Sequence, residues 1–103
     1  MMRSEELKVS RKYAKQLIFG AKTYDPIKGV TTAYFTDSDN TPWIHYQVDP
    51  ERAANDKAAV RAKTFLTKLN KLKNGDRVFC YGRIRLMENG ECYRDVEEIV
   101  NKM

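Results

Sequence analysis

The stretch Asp76-Arg77-Val78-Phe79-Cys80-Tyr81-Gly82-Arg83-Ile84-Arg85-Leu86 alternates two kinds of residue. Successive side chains on a strand point to opposite faces. Val78, Cys80, Gly82, Ile84 and Leu86 therefore share one side, and Arg77, Phe79, Tyr81, Arg83 and Arg85 share the other. The first set suits a core. The second interleaves cations with aromatic rings, which a water-facing strand does not need. Cations neutralise phosphates and rings stack on unpaired bases, so this face fits a single-stranded nucleic acid. The competing reading is a solvated strand whose two rings are covered by another element.

Downstream, Asn89-Gly90 marks a hairpin turn leading to a last strand that ends near Val100. A two-residue turn pairs Cys80 with Ile99, Met87 with Cys92 and Ile84 with Asp95. A three-residue turn at Glu88-Asn89-Gly90 with a bulge pairs Cys80 with Glu98, Leu86 with Cys92, Arg85 with Tyr93 and Arg83 with Asp95. In the second register Arg83 is neutralised by Asp95, but Glu98 falls opposite the apolar Cys80. Neither register is clean. In neither do the two cysteines face each other, so no disulfide is expected and a reducing, cytoplasmic home fits.

Upstream, Asp49-Pro50-Glu51 reads as a helix start, with a carboxylate cap, proline at the first helical position and an acid in the first turn. Ala58, Ala62, Phe65, Leu69 and Leu72 step by four and three, giving one apolar stripe on a helix expected to reach Lys73. Asn74-Gly75 supplies its stop. Lys57, Arg61, Lys63, Lys68, Lys71 and Lys73 are assigned to its solvated side. Before it, Val30 to Thr36 is rich in β-branched and aromatic residues, and Asp37 to Pro42 is a turn. Trp43 to Val48 alternates, with Ile44, Tyr46 and Val48 on one face and Trp43, His45 and Gln47 on a polar one. An earlier strand runs from about Tyr13 to Lys22, with Gly20 as a bend. Residues 1–11 are expected to be a flexible segment ahead of one domain spanning 12–103.

Three strands, a helix and a hairpin give an all-β chain with one helix. Five strands with the helix between the third and fourth is the topology of the oligonucleotide-binding (OB) barrel; an α+β sheet with one packed helix competes. A chain of 103 residues with 42% hydrophobic content can bury a core as one domain. A formal charge of +5 favours polyanionic partners without identifying one. No signal peptide is visible, and no run approaches the roughly 20 apolar residues of a membrane helix.

Thr41-Pro42-Trp43-Ile44-His45-Tyr46-Gln47-Val48 resembles the third strand of the bacterial and phage single-stranded-DNA-binding protein family, which commonly reads T-x-W followed by alternating residues. Leu72 to Arg85 resembles that family's L-x-x-G-D-x-V-x-V-x-G-x-L-x pattern, and Lys15 to Gly20 echoes its first strand. The resemblance implies an OB barrel, sequence-tolerant binding of single-stranded DNA, a homo-oligomer, and a role in DNA replication, recombination or mobile-element maintenance. Three features depart from the family: a short loop after the second strand, a longer and more basic segment from Val48 to Leu72, and an end at Asn101-Lys102-Met103 without an acidic tail. The last points to a plasmid, phage or accessory binder.

The candidate nucleic-acid contacts are thus Lys22, Tyr34, Trp43, Arg77, Phe79, Tyr81, Arg83 and Arg85, with Trp43 at the position the resemblance gives a base-stacking ring. Tyr34 and Phe35 are adjacent, so one faces ligand and the other the core. His45, Cys80 and Cys92 lack the close spacing of a zinc site, and Asp37-Ser38-Asp39 fails as a calcium loop. No phosphate-cradling loop or nucleophile elbow is present. The expectation is no cofactor, no metal and no enzyme. Two alternatives stand beside DNA: an RNA-binding OB module using the same groups, and a protein-interaction barrel in a replication or conjugation complex.

Overall fold

The computed structural model describes residues 6–103, with side chains from Lys12 onward. Five strands, β1 (Glu6–Asp25), β2 (Val30–Thr36), β3 (Pro42–Val48), β4 (Arg77–Met87) and β5 (Cys92–Lys102), surround one helix, α1 (Asp56–Leu69). The strands form a closed barrel in the order β1-β2-β3-β5-β4. With α1 between β3 and β4, this is the OB-like barrel that the order of elements predicts. Among the described residues, no helix is long and apolar enough to cross a membrane.

β1 is much longer than expected. It starts at Glu6, so residues 6–11, expected to be flexible, lie in a strand whose Ser10 and Arg11 pair with Arg85 and Ile84 of β4. Residues 1–5 of that expected segment lie outside the described residues. The length lets β1 serve two partners, β4 up to Ile18 and β2 from Ile18 onward. Gly20 is the extra residue at the change of partner, where the register slips between Phe19 and Ala21. The bend predicted there is therefore a bulge.

The core gathers Leu17, Phe19, Ala33, Phe35, Trp43, Val78, Cys80, Val96 and Ile99 from all five strands, and Phe65, Leu69 and Leu72 from α1 and the turn after it. The helical stripe is thus the plug of the barrel. Its start is corrected, however. Asp49-Pro50-Glu51 opens only a 3-10 turn, Pro50–Arg52, with no side-chain cap. The true cap is Asn55, whose side chain accepts from the Ala58 amide at 2.8 Å. Asp49 instead accepts the Tyr24 hydroxyl at 2.7 Å. The helix ends at Leu69, before the expected Lys73, and the chain turns back at Gly75 with φ +93°.

The β4–β5 hairpin uses both predicted registers in succession. Near the three-residue turn, where Gly90 has φ +90°, Leu86 opposes Cys92 and Arg85 opposes Tyr93. A bulge at Glu97 then shifts the ladder by one, so that Cys80 meets Ile99 rather than Glu98. A second slip follows beyond Cys80. The bulge removes the conflict that each uninterrupted register carries. Both thiols are free, Cys80 buried and Cys92 exposed.

β3 is the main reversal. Trp43 is 1% exposed and Tyr46 66% exposed, so the face expected to be polar points inward and the expected core face points out. His45 belongs to the inward set because it has partners there. Its ring stacks on Phe65 at 3.8 Å between centroids, and Nδ1 meets the Val96 carbonyl. β3 and β5 share only one paired position, Ile44 with Asp95. Beyond it, His45 reaches the Val96 carbonyl from β3, and from α1 the Lys68 ammonium donates to the Ile99 and Val100 carbonyls of β5 at 3.0 and 3.2 Å.

Candidate nucleic-acid interface

Because Val78, Cys80 and Gly82 are committed to the core, the alternation of β4 sends Arg77, Phe79, Tyr81, Arg83 and Arg85 to the outer wall. On one flank β1 sets Lys12 opposite Arg83, Ala14 opposite Tyr81, Gln16 opposite Phe79 and Ile18 opposite Arg77. Ala14 is too short to cover the ring beside it. Phe79 and Tyr81 meet edge-on at 6.3 Å and stay half-buried, and the Lys12 ammonium lies 5.0 Å from the Tyr81 centroid. On the other flank β5 places Tyr93 against Arg85, with 5.9 Å between guanidinium and ring. Tyr93 donates to Glu91 at 2.6 Å, which lowers the Glu91 carboxyl and raises the phenol, so the ring stays neutral.

The ion pairs on this wall are diagonal to the ladder. Arg85 Nη2 reaches Asp95 at 2.7 Å, and Arg83 Nε reaches Glu97, the bulged residue, at 2.8 Å. The expected Arg83–Asp95 pair is therefore replaced by two others. Among the described residues, Arg85 Nε is buried and has no hydrogen-bond partner.

Of the remaining candidates, Tyr34 is 41% exposed on the outer wall of β2, opposite Ala21, while Phe35 joins the core. Tyr34 thus lies on the same side of its strand as a ligand-facing ring, but across β1 from the aromatic pair. Lys22 stands apart, bonded to Asn70 Oδ1 at the end of α1 at 2.6 Å. Trp43 cannot stack a base: its indole is inside, and Nε1 donates to Asp37 Oδ2 at 3.0 Å. That indole donation is the chief cause holding the Asp37 carboxyl below its ordinary range.

Three neighbours of the aromatic pair were not among the sequence candidates. Lys12 was hidden by placing the strand start at Tyr13. Tyr93 was signalled by the three-residue turn, which sets it against Arg85. Ile18, 40% exposed between Thr36 and Arg77, sits in an apolar run whose members alternate in and out.

One other surface is present. The outer wall of β2 and β3 presents Tyr34, Tyr46 and Val48, and neither strand contains a charged residue. A groove of about 900 Å³ between α1, β3 and β5 is continuous with the β4 wall, since Lys12, Arg83, Arg85, Asp95 and Glu97 line it together with His45 and Phe65. Among the described residues, no three His, Cys, Asp or Glu side chains converge as metal ligands. Burial pushes the Cys80 thiol up to about 12, so it stays protonated. No family model, curated protein or solved structure matches the chain.

Proposed function

We propose that this barrel is a binding protein, not an enzyme, and that it holds single-stranded DNA along the outer wall of β4 with little sequence preference. Its setting would be DNA replication, recombination or mobile-element maintenance in the cytoplasm, where assembly into an oligomer would lengthen the bound strand. The observation that carries this reading is the Phe79–Tyr81 pair, flanked along β4 and β1 by Lys12, Arg77, Arg83 and Arg85. Every base has a π-face, so such rings take bases without reading their edges, and the cations take the phosphates. The OB-like architecture supports the reading by analogy only. The wall also differs from the strand 2–3 surface such barrels commonly use.

The test is fluorescence anisotropy of a labelled oligo-dT at two salt concentrations. Four phosphate contacts give a salt slope of about −3 on a log–log plot, or roughly fifty-fold weaker binding between about 50 and 200 mM salt. Phe79→Ala and Tyr81→Ala each weaken binding by about 1–3 kcal/mol. Binding that ignores salt or survives both substitutions overturns the assignment. Competition with oligo-rU of the same length distinguishes an RNA-binding module. One observation favours a protein-docking reading instead: the uncharged β2–β3 wall with its exposed Tyr34 and Tyr46. It gains if the folded protein binds neither strand.

A further inference from the structure

Two acids on β5 occupy two of the four cations that the proposed wall uses. Asp95 holds Arg85 at 2.7 Å and Glu97 holds Arg83 at 2.8 Å. Both contacts are carboxylate on guanidinium, the geometry a phosphate would also adopt. The Arg85 pair is incomplete, because among the described residues its buried Nε has no acceptor. A backbone phosphodiester has two anionic oxygens, whereas Asp95 offers a single one, Oδ2, to Nη2. It can therefore take Nη2 and Nε together and satisfy the orphaned donor. Glu97 is also the extra residue of a bulge, so it stands outside the ladder pairing while its side chain meets Arg83.

We infer that Asp95 and Glu97 are built-in stand-ins for phosphate, which hold Arg85 and Arg83 in the free protein and yield them to the bound backbone. This rests on the proposed function and states how the same site is regulated. The acids set a threshold: weak anions and isolated phosphates do not displace them, whereas a strand also anchored by stacking on Phe79 and Tyr81 does. The wall is then selective for anions that carry bases.

The experiment measures oligo-dT binding and its salt slope for the wild type, Asp95→Asn, Glu97→Gln and a control, Glu51→Gln, in the 3-10 turn. Each substitution changes the net charge equally. Releasing an exposed ion pair is worth up to about five-fold, so both β5 variants bind about three- to five-fold tighter. Each keeps the wild-type salt slope, because the bound strand already takes both arginines and the number of phosphates contacted is the same. Glu51→Gln changes neither. Equal tightening in all three variants overturns the inference in favour of general charge, and unchanged or weaker binding in both β5 variants overturns it outright while leaving the proposed function standing. Failure of every protein, including the wild type, to bind removes the proposed function itself. Thermal melts of the two variants exclude loss of fold as the cause of weaker binding.

Discussion

At Gly82 the wall of the barrel comes up against an indole. A β-carbon built there would lie 2.5 Å from Cζ3 of Trp43 and 3.0 Å from the Asp95 carbonyl oxygen. Trp43 therefore turns inward because a position far along the chain has no side chain, and Asp37 holds its Nε1 at the rim. This explains why the direction of Trp43 was not legible locally. Its neighbours His45 and Gln47 are polar, and the residues that make room for or hold that face, Gly82, Val96 and Phe65, come from β4, β5 and α1. Gly82→Ala forces the ring to move. Overfilling a packed interior commonly costs about 1–3 kcal/mol, so the urea midpoint falls by a corresponding amount. A midpoint within error of wild type would show that the indole has space to retreat.

β4 was readable because its inward set, Val78, Cys80, Gly82, Ile84 and Leu86, has no charged or polar member, which leaves only one way to face the strand. The hairpin was half-readable. The turn chemistry at Glu88-Asn89-Gly90 fixes the register as far as Gly82, and only packing decides that Glu97 is skipped so that Val96 and Ile99 both point in. The helix illustrates a true signal attached to the wrong element. Asp49-Pro50-Glu51 does start a turn, but Ala53 is extended, with ψ 151°, and the helix begins afresh at Asn55. Asn55→Ala removes the acceptor of the Ala58 amide and destabilises the fold by about 1 kcal/mol. Asp49→Asn, which keeps an acceptor for Tyr24, leaves stability near wild type. Chemical denaturation of both variants checks this, and the reverse ranking would restore Asp49 as the cap.

Across the whole chain, carboxylates tie down the connections between strands. Asp37 accepts the Asp39 and Thr41 amides and the Trp43 indole in the β2–β3 turn. Asp76, just before β4, accepts the Lys73 amide and pairs with Lys102 at 3.3 Å. Both are held below the ordinary value of 3.8, Asp37 chiefly by Trp43 and Asp76 chiefly by the Lys73 amide. A carboxyl lowered on folding contributes stability that is complete above its unfolded value and is lost as pH falls through its folded one. The barrel is therefore expected to hold its stability from neutral pH to about pH 5 and to lose it below about pH 4. In Asp37→Asn the loss on acidification is smaller, because one of the three lowered carboxyls, Asp37, Asp76 and Glu91, no longer titrates. Urea midpoints from neutral to acid pH measure this, and an identical acid dependence in the variant would remove Asp37 from the account.

The seam between β3 and β5 also governs how the protein behaves when concentrated. A barrel with a single bridged position along one junction leaves strand edges that could template growth by a neighbouring chain, the usual start of edge-to-edge aggregation. On β5 the acceptors at Val96, Ile99 and Val100 are already taken by His45 and Lys68. An incoming strand finds those carbonyls occupied, so the barrel can leave this junction unzipped without becoming sticky.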